Sequence, residues 1–178
     1  MLRKHLLVGL LFASLILLPF TANAGDNPKE RPMKLTGMGL LKTDFNPADW
    51  EWRSIDTAVI PWVTEEEGHG THLGEWTSKC PGGVLVRLLP DGNIELLEMW
   101  GDWEFTADNG DKLTATLVWP SYPVIQETAT ATITGGTGRF KNATGTLTLS
   151  MGYTGEDWWI GPYHYSIFWE TVEGTITY

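Results

Sequence analysis

The sequence predicts an all-β protein with a single domain of about seven to nine strands, arranged as a barrel or a sandwich. Two observations carry this prediction. Apolar and polar residues alternate along most of the chain, and short turns rich in Gly, Asn and Asp separate the alternating segments. No segment of ordinary helix length shows a helical period. A barrel leaves no open sheet edge, which protects an exported all-β protein from aggregation.

The clearest alternation runs over residues 129–150. Odd positions are apolar or small and even positions are Thr or Ser, on both sides of a Gly-rich turn. A period of two residues indicates strands that bury one face. Gly135, Gly136 and Gly138 permit positive φ where the chain folds back.

The segment before residue 63 has a weaker pattern. Residues 25–31 are polar and are expected to form a flexible lead. Residues 33–41 are predicted to form a first edge strand and 58–62 another short strand. Between them, residues 46–49 predict a short helical turn that begins with Pro47.

Two hairpin turns are well marked further along. Pro90-Asp91-Gly92-Asn93 contains an Asp-Gly pair, and residues 107–111 have Asn-Gly at their centre. Strands are predicted over 84–89 and 94–105. A third strand follows, and its inward face is predicted to consist of Leu113, Ala115, Leu117 and Trp119.

The last part of the chain is rich in aromatic residues. Two prolines in 119–123 are expected to break the preceding strand. Residues 154–163 are predicted to form an aromatic loop, and residues 165–178 a final strand that closes the sheet.

Residues 1–24 have the composition of a secretory signal peptide. Arg3 and Lys4 precede an apolar run over 6–20, and Ala22-Asn23-Ala24 is a small-x-small cleavage site. The apolar run is shorter than the ~20 residues that span a bilayer. We therefore expect an exported protein, periplasmic or extracellular, with no membrane span after cleavage.

Composition limits the partners. The net charge is −10, and loss of Arg3 and Lys4 with the signal takes it to −12. Such an acidic chain repels phosphate backbones, so we expect no nucleic acid partner. Cys80 is the only cysteine, which excludes an internal disulfide. It is interpreted as a structural thiol beside a Pro81-Gly82-Gly83 turn, since catalysis would require a base that lowers its pKa.

The segment 65–75 contains the potential metal ligands His69, His72 and Glu75. Its glycines argue against a helix, and on a strand the two histidines would face opposite sides. We therefore predict no metal and no cofactor. The run of three glutamates at 65–67 is interpreted as solvated.

Four segments carry a family resemblance. They are Gly70-Thr71-His72-Leu73-Gly74, the turn at 105–111, Gly135-Gly136-Thr137-Gly138-Arg139-Phe140 with Ala143-Thr144-Gly145, and the terminal Gly174-Thr175-Ile176. Together they resemble small bacterial secreted proteins with an allene-oxide-cyclase-like barrel, which are related to plant dirigent proteins. The resemblance covers about 68–178, and its most specific part is the turn at 135–140.

The resemblance implies an eight-stranded antiparallel barrel with a largely apolar cavity, and it makes a homo-oligomer possible. It carries no catalytic residue to this chain, because the shared residues form turns. The expected organisation is a signal peptide over 1–24, a lead with the first strands over 25–67, and the core of the barrel domain over 68–178.

Three functions remain open. The leading hypothesis is binding of a small apolar or aromatic molecule in the barrel, motivated by the inward apolar faces and the ten tryptophans. The alternative for each lining residue is that it only fills the interior. The predicted lining is Leu97, Met99, Trp103, Phe105, Leu117, Trp119, Leu147 and Leu149.

A cyclase or isomerase would enclose a reactive species in the same interior and would require an inward polar group. His72, Glu75 and Arg139 are weak catalytic candidates, and Glu98 lies on a face predicted to point outward. Arg139 is better explained as a residue that ties down its turn. The sequence therefore leans away from an enzyme.

The third hypothesis is a carbohydrate- or protein-interaction module. The aromatic residues of 158–163, together with the 119–123 loop, would stack on sugar rings or on a partner protein. Exposed, coplanar rings would favour this function, and buried rings would favour a cap on the barrel end.

Overall fold

The computed structural model describes residues 29–119 and 128–178, and these form a closed antiparallel barrel of eight strands with one short extra strand. The predicted signal peptide and the predicted break at 120–123 lie outside the described residues. The strands are β1 Glu30–Asp44, β2 Glu51–Trp52, β3 Thr57–Gly70, β4 Gly74–Leu88, β5 Ile94–Ala107, β6 Lys112–Trp119, β7 Thr128–Gly136, β8 Thr144–Ile160 and β9 Tyr163–Thr177. One turn of 3-10 helix, Gly138–Phe140, follows β7.

Strand β1 closes the barrel. Each strand from β3 to β9 pairs with the next one in the chain, and β1 pairs with β9 on one side and with β3 on the other. The short β2 pairs with the start of β3. The predicted edge strand over 33–41 is therefore hydrogen-bonded on both sides, and the prediction that it forms an edge is wrong. A closed barrel satisfies the backbone groups that an edge strand leaves exposed.

The predicted hairpin turns are confirmed. At the β5–β6 turn, the amide of Ala107 donates to the carbonyl of Asp111 at 2.9 Å, and Gly110 adopts φ of 85°. The predicted pair of strands around 135–140 is also confirmed, since β7 and β8 place Ala131 opposite Leu147.

Indole rings lying on glycines fill much of the interior. A Cβ atom at Gly37 or at Gly68 would lie 2.6 Å from ring carbons of Trp76, and one at Gly82 would lie 2.4 Å from the ring of Trp62. These distances are far below a carbon–carbon contact, so the two indoles occupy the space that glycine leaves free. The barrel core is thus built from large rings packed directly against backbone.

The segment Pro81-Gly82-Gly83 is not a turn. It lies within β4, where Pro81 is opposite Val63 of β3. Gly82 accepts the Trp62 ring on the inner face, and Gly83 lies against the ring of Trp100 on the other face. The glycines therefore serve ring packing on two sides of a strand, and the prediction of a turn is wrong.

The predicted aromatic loop at 154–163 is a β-hairpin. Strand β8 continues to Ile160, and β9 begins at Tyr163 after a turn with Gly161 at φ of 60°. The register shifts between Tyr153 and Asp157, which is a β-bulge. Pairing between β8 and β9 resumes beyond the bulge, and cross-strand aromatic pairs stabilise this outer part of the hairpin.

Candidate functional site

Most of the predicted lining residues lie inside the barrel. Trp103, Phe105, Leu117, Trp119, Leu147 and Leu149 are buried in the core, and Met99 is partly buried against it. Leu97 is different. Strand β5 has an irregularity at which Val86 pairs with Leu96, so Leu96 packs on the core in place of Leu97.

Two of the predicted catalytic candidates tie together one end of the barrel. His72 has φ of 67°, and its ring lies 2.9 Å from the carbonyl of Pro32 through Nε2 and 3.2 Å from the hydroxyl of Tyr178 through Nδ1. Arg139 donates to the carbonyl of His72 at 2.7 Å and lies 3.7 Å from Asp111. The interpretation of Arg139 as a residue that fixes its turn is confirmed.

The third candidate, Glu75, is exposed on the outer face of β4. It lines an outer groove of about 860 Å³ that also contains Glu67, His69 and Asp108. In residues 29–119 and 128–178, no group of three His, Cys, Asp or Glu side chains is arranged to hold a metal ion. His72, Glu75 and Arg139 are therefore not brought together at one site.

Two carboxyl groups that the sequence analysis missed lie inside the barrel. Glu66 is 7% exposed and Glu170 is 2% exposed. Strand alternation places Glu65 and Glu67 outside and Glu66 inside, so the interpretation of the whole 65–67 run as solvated is wrong. The alternation from Ala58 onward was the signal that would have found Glu66.

Two glycines of β1 lie opposite these carboxyl groups. In the strand register, Gly39 lies opposite Glu66 of β3 and Gly37 lies opposite Glu170 of β9. A Cβ atom at Gly39 would lie 2.6 Å from Cγ of Glu66, whereas one at Gly37 would lie 2.6 Å from the ring of Trp76. Gly39 therefore leaves space that Glu66 occupies, and Gly37 leaves space for the Trp76 ring.

Glu66 has a complete set of polar partners. Its carboxylate accepts hydrogen bonds from the hydroxyls of Thr64 and Ser78 and from the indole N–H of Trp103 at 2.8 Å. Burial raises the pKa of Glu66, and the three hydrogen bonds oppose that rise. These donors are side chains of three different strands, so the acceptor role of Glu66 is built into the barrel.

Glu170 has no such partners. Within the described part of the chain, neither of its carboxyl oxygens accepts or donates a hydrogen bond. Burial, and then the neighbouring charge of Glu66, raise the pKa of Glu170 from 4.5 to about 9. Glu170 is therefore a neutral carboxylic acid near neutral pH, and its O–H group has no hydrogen-bond partner among residues 29–119 and 128–178.

The surroundings of the pair are apolar or uncharged. The buried polar side chains of the described residues are Thr64, Glu66, Ser78, Ser166 and Glu170, with no Lys, Arg or His among them. Cys80 is also buried, and burial followed by the charges of Glu66, Asp102 and Glu170 raises the pKa of its thiol. Cys80 is thus held as a thiol, which matches its predicted structural role.

Glu170 lies in the middle of β9, where its partner on β1 is Gly37. Its cross-strand partner on β8 is Met151, which is only partly buried.

The β8–β9 hairpin carries a second aromatic feature. Trp158 stacks on its cross-strand partner Tyr165, with ring centroids 5.5 Å apart and planes 5° from parallel. Trp159 packs beside Phe45 and His164 and is still 57% exposed. These rings lie at the surface, so they do not cap the interior.

Replacing Trp103 with Phe is expected to lower the free energy of unfolding by about 1–3 kcal/mol, because Glu66 and Ser78 lose the buried indole N–H that lies 2.8 Å and 3.0 Å from them. Urea unfolding measures the change. Trp169→Phe is the matched control, since Trp169 is half exposed on the outer face of β9. Equal losses in the two variants would contradict a polar role for Trp103.

Comparison with known proteins includes a solved structure with a similar fold. No protein-family model matches the chain, and no curated protein sequence matches it. The solved structure of a dirigent protein, described as a pterocarpan synthase, is similar to 86% of this chain over 88% of its own length, with 14% identity and a TM-score of 0.39. The eight-stranded barrel itself is established by the strand pairing.

Proposed function

We propose that this protein binds a small, largely apolar or aromatic molecule in its barrel and places a polar group of that molecule against Glu66 and Glu170. The observation that carries the proposal is the Glu170 carboxyl, which is 2% exposed and has no hydrogen-bond partner among the described residues. An unsatisfied buried polar group costs about 1–3 kcal/mol. A bound polar group would remove that cost.

The position of the pair supports this proposal. Glu170, Trp62 and Trp103 are all buried in the interior, where the two indoles supply apolar surface. Binding sites for small molecules combine apolar walls with a few polar groups that fix orientation. The interior of this barrel contains both apolar rings and buried polar side chains.

The cyclase or isomerase alternative rests on the same pair. None of His72, Glu75 and Arg139 lies in the interior, so a reaction there would use the neutral acid Glu170 as a proton donor and Glu66 as an acceptor. Binding alone requires no chemical step. We also propose that the protein is exported to the periplasm or the medium. The described residues contain no helix long and apolar enough to cross a membrane.

Native mass spectrometry of the mature protein, purified without detergent, tests the proposal. We expect an added mass in the range of small lipids or aromatic compounds, and we expect Glu170→Gln to reduce the fraction of protein that carries it. The same spectra report the oligomeric state. A clean unliganded mass, with no thermal stabilisation by any member of a panel of phenols, fatty acids and aromatic amines, would contradict the proposal.

A second candidate function rests on the β8–β9 hairpin. The exposed rings of Trp158 and Trp159 support an interaction module that stacks on sugar rings, although Trp158 and Tyr165 are stacked on each other and are not coplanar. Titration with soluble oligosaccharides, followed by tryptophan fluorescence, tests this function. If an oligosaccharide produces a saturable change in tryptophan fluorescence, Trp158→Ala should abolish that change and Trp103→Phe should not. If no oligosaccharide alters the fluorescence of the protein, binding of those sugars is excluded.

A further inference from the structure

We propose that the barrel ligand is a cation, specifically an apolar or aromatic amine whose ammonium group binds between Glu66 and Glu170. This inference rests on the proposed function and names its ligand class. It follows from three features of the interior: two acidic groups, no basic group among the described buried residues, and walls made of aromatic rings.

The charge balance of the interior is the first argument. Of the charged side chains in the described residues, the two that are buried are both acidic. A buried carboxylate without a counter-charge is costly, and a protein normally supplies Arg, Lys or a metal ion as its partner. Among the described residues, no buried basic side chain supplies a counter-charge to either carboxyl group. Either protons or a bound cation must therefore balance the two acids.

The hydrogen bonding of the two carboxyl groups is the second argument. Gly37 and Gly39 of β1 lie opposite Glu170 and Glu66, and the rings of Trp76 and Phe168 cover these two glycines. Glu66 is fixed in place by Thr64, Ser78 and Trp103, which lie on β3, β4 and β5. Glu170 keeps both oxygens free among the described residues. One acid is thus held as a fixed anchor, and the other is left to pair with an incoming group.

The chemistry of the walls selects an organic cation over a metal ion. Ca²⁺ requires about six to eight oxygen ligands and Mg²⁺ a nearly ideal octahedron. Two carboxyl groups in an aromatic core do not provide them, and no cluster of three metal-binding side chains occurs in the described chain. Aromatic faces attract ammonium groups and also bury an apolar ligand body. An amine on a hydrophobic skeleton uses both properties.

Binding would exchange a proton for the ammonium group. In the free protein the carboxyl of Glu170 holds its proton; on binding, its O–H bond breaks, the proton leaves to solvent, and the carboxylate pairs with R–NH₃⁺ without a covalent bond. The titratable groups on the inner face of the neighbouring strands are Glu66 on β3, Cys80 on β4 and Tyr153 on β8, which alternation places on the same face as Met151. Strand β1 presents Gly37 and Gly39. Amine affinity is therefore expected to rise with pH until Glu170 is ionised.

Isothermal titration calorimetry with phenethylamine and its neutral analogue phenethyl alcohol tests the inference. We expect the amine to bind more tightly, to release about one proton, and to gain about tenfold in affinity per pH unit from about pH 6 to about pH 8. Buffers of different ionisation enthalpy count the protons. The alcohol should show neither the proton release nor the pH dependence.

Three variants separate the possible outcomes. Glu170→Gln should remove the preference for the amine while the alcohol still binds, and Glu66→Gln should reduce that preference. Glu173→Gln is the matched control, because Glu173 lies on the same strand and forms an exposed ion pair with Lys34. If the alcohol binds as tightly as the amine at every pH, the ligand is neutral and only this inference is overturned. If neither compound binds the folded protein, and no ligand from the wider panel does, the proposed function is overturned as well.

Discussion

Replacing Glu170 with Met is expected to stabilise the ligand-free protein by about 3 kcal/mol near neutral pH. The wild-type side chain has to fold as a neutral acid, since its pKa rises from 4.5 to about 9 in the barrel. In the unfolded chain it is ionised at neutral pH, so folding has to take up a proton. Methionine has a similar volume, needs no proton and needs no hydrogen-bond partner.

The same pKa shift fixes the pH dependence. A carboxyl group with a raised pKa in the folded state contributes its full stability below about pH 4.5, where both states are protonated. That stability is lost as the pH rises towards 9, because the unfolded state releases the proton first. Burial raises the pKa of Glu66 in the same direction. Wild-type stability should therefore fall from mildly acidic to mildly alkaline pH.

Chemical unfolding at several pH values measures both effects. The slope of stability against pH should flatten in Glu170→Met and should be unchanged in the exposed control Glu173→Gln. Glu170→Gln should show an intermediate gain in the free energy of unfolding, since it removes the proton uptake on folding but keeps a buried polar group. A loss of stability in Glu170→Met at alkaline pH would mean that Glu170 has favourable partners in the folded protein.

Replacing Gly68 with Ala is expected to cost about 3 kcal/mol or more, or to prevent folding. The added methyl group would lie 2.1 Å from the carbonyl oxygen of Thr36 and 2.6 Å from Cζ2 of Trp76. The carbonyl belongs to β1, which is paired on both sides, and the indole of Trp76 is buried, so neither atom can move aside. Thermal unfolding and the soluble yield measure the loss.

Gly110→Ala is the comparison for this prediction. Nothing lies within 4 Å of a Cβ atom at Gly110, but its φ of 85° is unfavourable for alanine. That strain alone is expected to cost about 1–2 kcal/mol. Equal losses at Gly68 and Gly110 would show that backbone conformation, and not the space taken by Trp76, explains the effect. A fully stable Gly68→Ala protein would contradict the packing described here.

Sequence reasoning succeeded where one strand could be interpreted alone. Leu113 to Trp119 and the strands on either side of Gly135 alternate strictly, and each has a marked turn beside it, so local chemistry specified both the element and its buried face. The Asn109-Gly110 hairpin was specified in the same way. These predictions required no knowledge of which strands are neighbours.

The errors arose where distant residues decide the structure. Glu66 is buried because Gly39, Ser78 and Trp103 make room and provide donors, and none of these is near it in the chain. Leu97 does not take the predicted inward position, because the register of β5 against β4 shifts beside it. Local pattern predicts β1 as an edge strand, because its partner β9 lies at the other end of the described chain. The carboxyl pair was missed for the same reason.

The closure of the barrel by β1 has a consequence for how the chain acquires its structure. Glu30 of β1 is opposite Thr177 of β9, so the first described strand cannot complete its pairing until the last one has been synthesised. Contacts between such distant residues are made against a large loss of chain entropy, and proteins dominated by them fold in about milliseconds to seconds. During that interval β1 and β9 each expose an open edge and an apolar face. The incomplete barrel is then the species most prone to aggregate, and a general chaperone that covers those edges would raise the yield of folded protein.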